Sequence, residues 1–138
     1  MGKGGPTYAV DFCHENVATI IDSITKESIA DIQRISFKNR NTKNAPIVSS
    51  DSAILNYYAL QQKLGTIGRD TVITGIQQTL YYKPIVLGMP ACLKCHGLPG
   101  KDIDANTLAL LQKKYPEDKA TGYKLGDLRG AWKISFPN

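Results

Sequence analysis

Three cysteines stand in the 138-residue chain, and two of them, Cys92 and Cys95, are separated by two residues and followed at once by His96. Two thiols at this spacing reach both vinyl groups of one porphyrin, and an imidazole directly after them binds the iron from the same side. The segment Cys92-Leu93-Lys94-Cys95-His96 therefore predicts one covalently attached haem c, with thioether bonds to Cys92 and Cys95 and His96 as the proximal iron ligand. Three other chemistries compete for the same residues: a structural zinc ion, a redox dithiol and a plain disulfide. Zinc needs four ligands, and beyond the motif only Cys13 and His14 remain. As neighbours on a helix these point about 100° apart and chelate one ion poorly. A thioredoxin-type dithiol opens a helix after a strand, whereas Gly97, Leu98, Pro99 and Gly100 follow this motif and stop one.

The other face of the iron is the harder question. An electron-carrying cytochrome c usually supplies a downstream methionine, and this chain has only Met1 and Met89, the latter three residues before Cys92 on the attachment side. Cys13 and His14 are left. Cys13 lies in the middle of an apolar helical stripe, with His14 on its shoulder beside Ala18 and Ile21. A lone cysteine on a buried helix face is ordinarily a small hydrophobe, and a lone histidine ordinarily a surface or hydrogen-bonded side chain. As iron ligands, Cys13 is the distal candidate and His14 its alternative or substitute.

These residues must be positioned by a small set of elements. Val10, Cys13, Val17, Ile20 and Ile24, joined by Ile21, recur at steps of three and four and predict a helix from Val10 to Ile24. Ile32 to Lys38 alternates, with Ile35 and Phe37 on one side and Arg34, Ser36 and Lys38 on the other, as a half-buried strand does. Residues 39–46 are rich in side chains that bond or restrict their own backbone, which predicts an ordered loop. A second helix is expected from about Ser52 to Leu64, capped by Ser50 or Asp51, ended by Gly65, and buried through Ile54, Tyr57, Tyr58 and Leu64. Thr71 to Ile76 and Gln78 to Leu87 read as two strands or one bent one. The chain breakers around Cys92 put the motif on a loop or a single helical turn, and a short helix from Asp104 to Lys114 follows. In the last segment Leu128, Trp132, Ile134 and Phe136 alternate with Arg129, Lys133 and Ser135, as in an interior strand. Helices and strands mix without a βαβ rhythm, so the expected class is α+β, an antiparallel sheet with packed helices. One domain, residues 9–138 after a flexible start at 1–8, suits this length.

Composition narrows the function. The formal charge is +5, and two ionised propionates would lower it to about +3. Lys38, Arg40 and Lys43 form one small basic cluster and Lys113, Lys114 and Lys119 another, with acids interspersed and no aromatic-rich stripe, so no nucleic-acid partner is expected. No run approaches the roughly 20 apolar residues of a membrane-spanning helix. Covalent haem attachment implies a periplasmic or otherwise extracytoplasmic location, and the start, Met1 to Pro6, holds no export signal, so one is expected to have been removed.

A wider pattern carries a resemblance. Cys13, Arg40-Asn41 with Asn44 and Pro46, Tyr82-Lys83-Pro84-Ile85, the haem motif with Gly97, and Tyr115-Pro116 with Asp118, Ala120, Gly122-Tyr123, Gly126-Asp127 and Arg129-Gly130 occur in this order. Together they resemble the single-haem, PAS-like family catalogued as a domain of unknown function (DUF3365), over nearly the whole chain from about Phe12. The resemblance implies an extracytoplasmic PAS-like fold and His/Cys ligation, with His96 and Cys13 at the matching positions. One departure is visible: after Pro46 the family pattern calls for an acidic residue shortly before the second helix, and Ile47-Val48-Ser49-Ser50-Asp51 fits loosely. The polar motif residues have structural readings as well. Arg40, Asn41 and Asn44 would bond backbone in their loop, and Gly122, Gly126 and Gly130 would permit turns. Arg40, Lys83 and Tyr82 are the candidates for reaching a haem propionate.

Two functions follow. A redox or gas sensor would change the axial bonds on reduction or on binding CO or NO, and would signal to a protein partner. An electron-transfer cytochrome would only gain and lose an electron with a redox partner. The missing methionine and the PAS-like resemblance favour sensing. No second acid or base stands beside the motif, so no enzyme is expected.

Overall fold

The computed structural model describes residues 4–66 and 68–138. In chain order the elements are α1 (Gly5–Glu27), β1 (Asp31–Ile35), a 3-10 turn (Thr42–Asn44), α2 (Ser49–Lys63), β2 (Thr71–Thr74), β3 (Gln78–Val86), α3 (Pro90–His96), α4 (Ala105–Lys114) and β4 (Leu128–Pro137). The α+β class is as the sequence predicts. The strands form one antiparallel sheet in the order β1-β4-β3-β2. The first and last strands are therefore neighbours, and β4 is interior.

Helix α1 begins at Gly5, with Pro6 in its first turn, where a missing N–H costs nothing. Residues 5–8 thus belong to the helix and not to a flexible end, while residues 1–3, Met1 included, lie outside the described residues. Val10 is its one buried side chain among those described. Strand β1 stops earlier than expected, at Ile35, because Ser36 turns inward. The Ser36 N–H donates to the Asn44 carbonyl at 2.8 Å and its hydroxyl to the Arg129 carbonyl at 2.7 Å. Phe37 is consequently 48% exposed and does not share the buried side of Ile35.

Helix α2 buries Asp51, Ile54, Leu55 and Tyr58, at the spacing of one helix face. Tyr57 and Leu64, expected on that face, are exposed. Neither Ser50 nor Asp51 caps the helix; the cap position is Val48, with no side-chain bond. Asp51 is drawn into the core instead, where it accepts from the Tyr82 hydroxyl at 3.0 Å and pairs with Lys133 at 2.9 Å. At the far end Gly65, with φ 70°, closes the helix. The Gly65 N–H bonds to the Gln62 carbonyl and the Thr66 N–H to that of Gln61, which satisfies carbonyls the helix leaves over.

The sheet carries a bulge that decides which side chains meet. Ile85 pairs with Gly130 but Val86 pairs with Leu128, so Arg129 is an extra residue on β4. A one-residue insertion reverses the faces on either side of it. Leu128 therefore packs with Ile35, Leu55, Tyr58, Tyr82 and Ala131 under α2. Trp132 and Ile134, expected to share its face, stand on the opposite one, where the register sets them against Arg34 and Ile32. Gly130 lies within this strand rather than in a turn: at φ 154° a Cβ there would meet the Ile35 carbonyl oxygen and stand 3.0 Å from the Ser36 Cβ. One sheet face is thus filled by α2. The other faces α1 and α3.

Candidate functional site

Helix α3 is the seven-residue element that carries the motif. Pro90 opens it, and Gly97 ends it with an extended backbone and an N–H donated to the Leu93 carbonyl at 2.9 Å. Cys92 and Cys95, three residues apart, share one helix face. Cys92 packs beside Leu87, Ala120 and Tyr123, and Cys95 beside Val10, Ile103 and Leu111. Burial pushes the Cys95 thiol pKa up, and the nearby Arg40 charge partly opposes this. No two of the three cysteines are joined in a disulfide.

His96 is held in one tautomer. Its Nδ1 lies 2.8 Å from the Ala120 carbonyl, which can only accept, so Nδ1 carries the proton and Nε2 keeps its lone pair. Burial, chiefly, and then the Arg40 charge push the imidazolium pKa down to about 3, so the ring is neutral at physiological pH. A neutral imidazole oriented through its second nitrogen is the arrangement a metal-ligating histidine uses. The segment that receives it is fastened to the end of the motif: the Gly122 N–H donates to the Gly97 carbonyl at 2.8 Å, and the Tyr123 N–H to the His96 carbonyl at 2.9 Å.

Arg40 ties these pieces together. Its Nε pairs with Asp118 at 3.0 Å, and Nη2 donates to the carbonyls of Cys95 at 2.6 Å and Ala120 at 3.2 Å. Asp118 in turn accepts the Ala120 N–H at 2.7 Å. Arg40 therefore bonds backbone, as one of its two sequence readings has it, but in distant segments rather than in its own loop. Asn41 keeps the local role, its side chain accepting the Lys43 N–H at 3.0 Å. The other two propionate candidates point elsewhere. Tyr82 is fully buried against Asp51 on the α2 side, and Lys83 is exposed near Asp70.

A cavity of about 730 Å³ opens between α1, α3 and the sheet, within the range of small-molecule and cofactor sites. Cys92, Cys95 and His96 line it, and so do Cys13 and His14 from α1. The five residues singled out in the sequence thus meet at one site. The apolar wall on α1 is formed by Val10, Val17 and Ile21, whereas Ile20 and Ile24 are exposed and lie outside the lining. The face presented to the cavity moves round the helix along its length, which a regular three-four stripe does not reveal. His14 packs edge-on against Tyr115, with ring centroids 5.0 Å apart.

The residues fit a haem. Two thiols at the required spacing, a neutral imidazole with a free Nε2, an apolar wall and a further thiol and imidazole border a space of suitable size. A bare zinc ion is served less well: among the described residues no three His, Cys, Asp or Glu side chains stand together as a metal site. Two arginines to which the sequence reading gave no role at the site, Arg34 of β1 and Arg129 of the bulge, also line the cavity. In an alternating strand their side reads as the solvent side, and no signal in the sequence separates a solvent face from a cavity face.

Fold and site define a class first: an α+β domain with helices packed on a four-stranded antiparallel sheet around a cofactor-sized cavity, its thiols and imidazoles gathered there. The chain belongs to the Tll0287-like family, whose model matches residues 7–137, and this bears out the resemblance read from the motifs. Among solved structures it is similar to the cyanobacterial heme-protein Tll0287, at 26% identity and a TM-score of 0.73, over 88% of this chain and 70% of that one. No curated protein matches. Among the described residues no helix is long and apolar enough to cross a membrane.

Proposed function

We propose that this chain is an extracytoplasmic c-type monohaem protein that senses redox state or a diatomic gas. Cys92 and Cys95 supply the thioether sulfurs, His96 Nε2 is the proximal ligand, and Cys13 is the distal one with His14 as its substitute. The observation that carries the reading is that Cys13 and His14, some eighty residues before the motif, line the same cavity as Cys92, Cys95 and His96. The heme-protein described by the similar solved structure adds support.

Bound haem would supply a one-electron couple and two axial positions at iron. The chain's residues decide how these are used. Ala120 and Arg40 fix the His96 ring, so the proximal side is rigid. Cys13 rides on α1, which beyond Val10 meets the sheet across the cavity and not by packing on it, so the distal side can give. As a thiolate Cys13 would favour the more positive ferric ion, and on reduction it would be the ligand to take a proton and withdraw. The position so opened would be available to CO or NO, or to His14 from the same helix. Helix α1 is the element whose placement the redox state would bias, and through it a signalling partner would be addressed.

The test is spectroscopic. After expression with a haem-attachment system, the pigment should survive acid-acetone extraction, and Cys92→Ala or Cys95→Ala should leave at most one thioether. Ferric protein should show low-spin thiolate signatures that vanish in Cys13→Ala, with a raised potential, and reduced protein should bind CO or NO. Pigment that extracts freely refutes covalent attachment, and an unchanged Cys13→Ala spectrum refutes the distal ligand. Reduced protein that takes up no ligand would assign the chain to electron transfer with a redox partner instead.

A further inference from the structure

Arg34 and Arg129 line the cavity from the sheet, and each carries a buried Nε with no hydrogen-bond partner among the described residues. They differ in this from Arg40, whose charge is matched by Asp118. No acid pairs with either of them among the described residues. Arg129 donates through Nη1 to the Ser36 hydroxyl at 2.9 Å and the Lys38 carbonyl at 3.0 Å, which anchors one edge of its guanidinium and leaves the Nε edge over. The Arg34 guanidinium lies 5.4 Å from the centre of the Trp132 ring and makes no side-chain hydrogen bond among those described. Burial pulls the Arg129 pKa below the usual guanidinium range, and the charges of Arg40 and Arg34 act in the same direction.

Both side chains are part-buried, and a guanidinium edge taken out of water without an anion is costly, because desolvation is not offset by pairing. Two such edges at one cavity suit a ligand that brings two negative charges. The donor fork of arginine matches a carboxylate in particular, with two parallel N–H bonds that a lysine cannot reproduce. The thiols that would attach the haem stand on α3, whereas these arginines come from β1 and from the bulge of β4. The bulge is what turns Arg129 to its place, since an unbroken alternation would exchange the faces beyond it.

We propose that Arg34 and Arg129 bind the two haem propionates, an assignment that rests on the covalent haem reading. The pair neutralises both carboxylates inside the fold and fixes which way round the ring lies. It also opposes the oxidised-state bias of a thiolate ligand, because a positive charge near the haem disfavours the ferric ion.

The experiment uses the haem-loaded protein, its Arg34→Gln and Arg129→Gln variants, and Arg34→Lys and Arg129→Lys as charge-keeping partners. Two quantities are read: the equilibrium potential, and the propionate carboxylate bands in redox-difference infrared spectra. Each Gln variant should shift the ferric–ferrous equilibrium toward ferric on the order of tenfold, a fall of about 59 mV for one electron. Its carboxylate bands should move to those of hydrated propionate. The Lys variants should keep most of the potential while the bands still move, because charge is retained and the fork is lost. If a Gln variant fails to fold or load, the Lys bands decide. Bands that stay in place overturn the assignment even where the potential moves, since that is charge acting without contact. They do so while leaving the covalent haem reading intact. A wild-type protein with no covalent pigment overturns both.

Discussion

Arg40→Ala tests whether the proximal side is held as described. The Arg40 and Asp118 side chains are only 13% and 9% exposed, so this is a largely buried ion pair. Removing one member of such a pair typically costs about 3–5 kcal/mol, mostly for the charge left behind. Asp118 keeps one partner, the Ala120 N–H at 2.7 Å, which places the cost at the lower end. Against that, the Cys95 and Ala120 carbonyls lose their Arg40 donor. A net loss of about 3–4 kcal/mol is expected, roughly a third of the stability of a domain of this size. It should appear as a fall in thermal midpoint on the order of 10 °C. Circular dichroism melts of wild type, Arg40→Ala, Asp118→Asn and the double variant measure it. The double variant should cost much less than the sum, because no lone charge remains. Arg40→Lys should recover little, since a point charge cannot serve an acid and two carbonyls at once. A loss below about 1 kcal/mol, or additive single variants, would mean that the clamp does not hold the motif.

Two further predictions concern the sheet. Burial, with the Asp51 hydrogen bond, pushes the Tyr82 pKa from 10.0 up to about 12. The fold thus keeps a proton that the unfolded chain releases, and this contribution is complete below pH 10.0 and declines as pH rises toward about 12. Tyr82→Phe should cost about 1–2 kcal/mol at neutral pH, since Asp51 retains Lys133, and should flatten the alkaline loss of stability. An equally steep alkaline decline in urea titrations of the variant would contradict the assignment. Gly130→Ala should cost about 2–4 kcal/mol because β1 leaves no room for a Cβ, whereas Gly126→Ala, at φ 87° with open space around it, should cost about 1 kcal/mol. Equal melting temperatures for the two would refute the close approach at the bulge.

The motif was legible because its chemistry is local: Cys92, Cys95 and His96 need only their own spacing, and Gly97 marks where their helix ends. Cys13 and His14 were legible by elimination, as the remaining soft or imidazole donors. The extents of α4 and β3 follow from signals that act within a few residues, the Asp104 cap of the helix and the β-branched and aromatic residues of the strand. What failed was whatever depended on a distant partner. Asp51 looked like a helix cap, but Tyr82 and Lys133 take its carboxylate into the core. Phe37 looked like the partner of Ile35, but the strand is ended by bonds from Ser36 to Asn44 and Arg129. Leu128 looked aligned with Trp132 until the bulge intervened, and nothing near Arg129-Gly130 announces an extra residue. Arg34 and Arg129 fell on polar sides of alternating strands. Alternation tells protein core from everything else, and a wall meant for a prosthetic group counts among everything else.

The single buried side chain of α1 also bears on how the molecule is put together. The core under α2 draws on β1, β3 and β4 and needs nothing from α1. The last residues of the motif are fastened to residues 120–123, again without it. The sheet, α2 and the end of the motif can therefore assemble while the first helix is still away, and α1 then completes the cavity from the other side, Val10 meeting Ile103 and Leu111. The helix made first at the ribosome can then be the last to settle, and in the proposed haem protein the cofactor could reach Cys92 and Cys95 before Cys13 and His14 close over it.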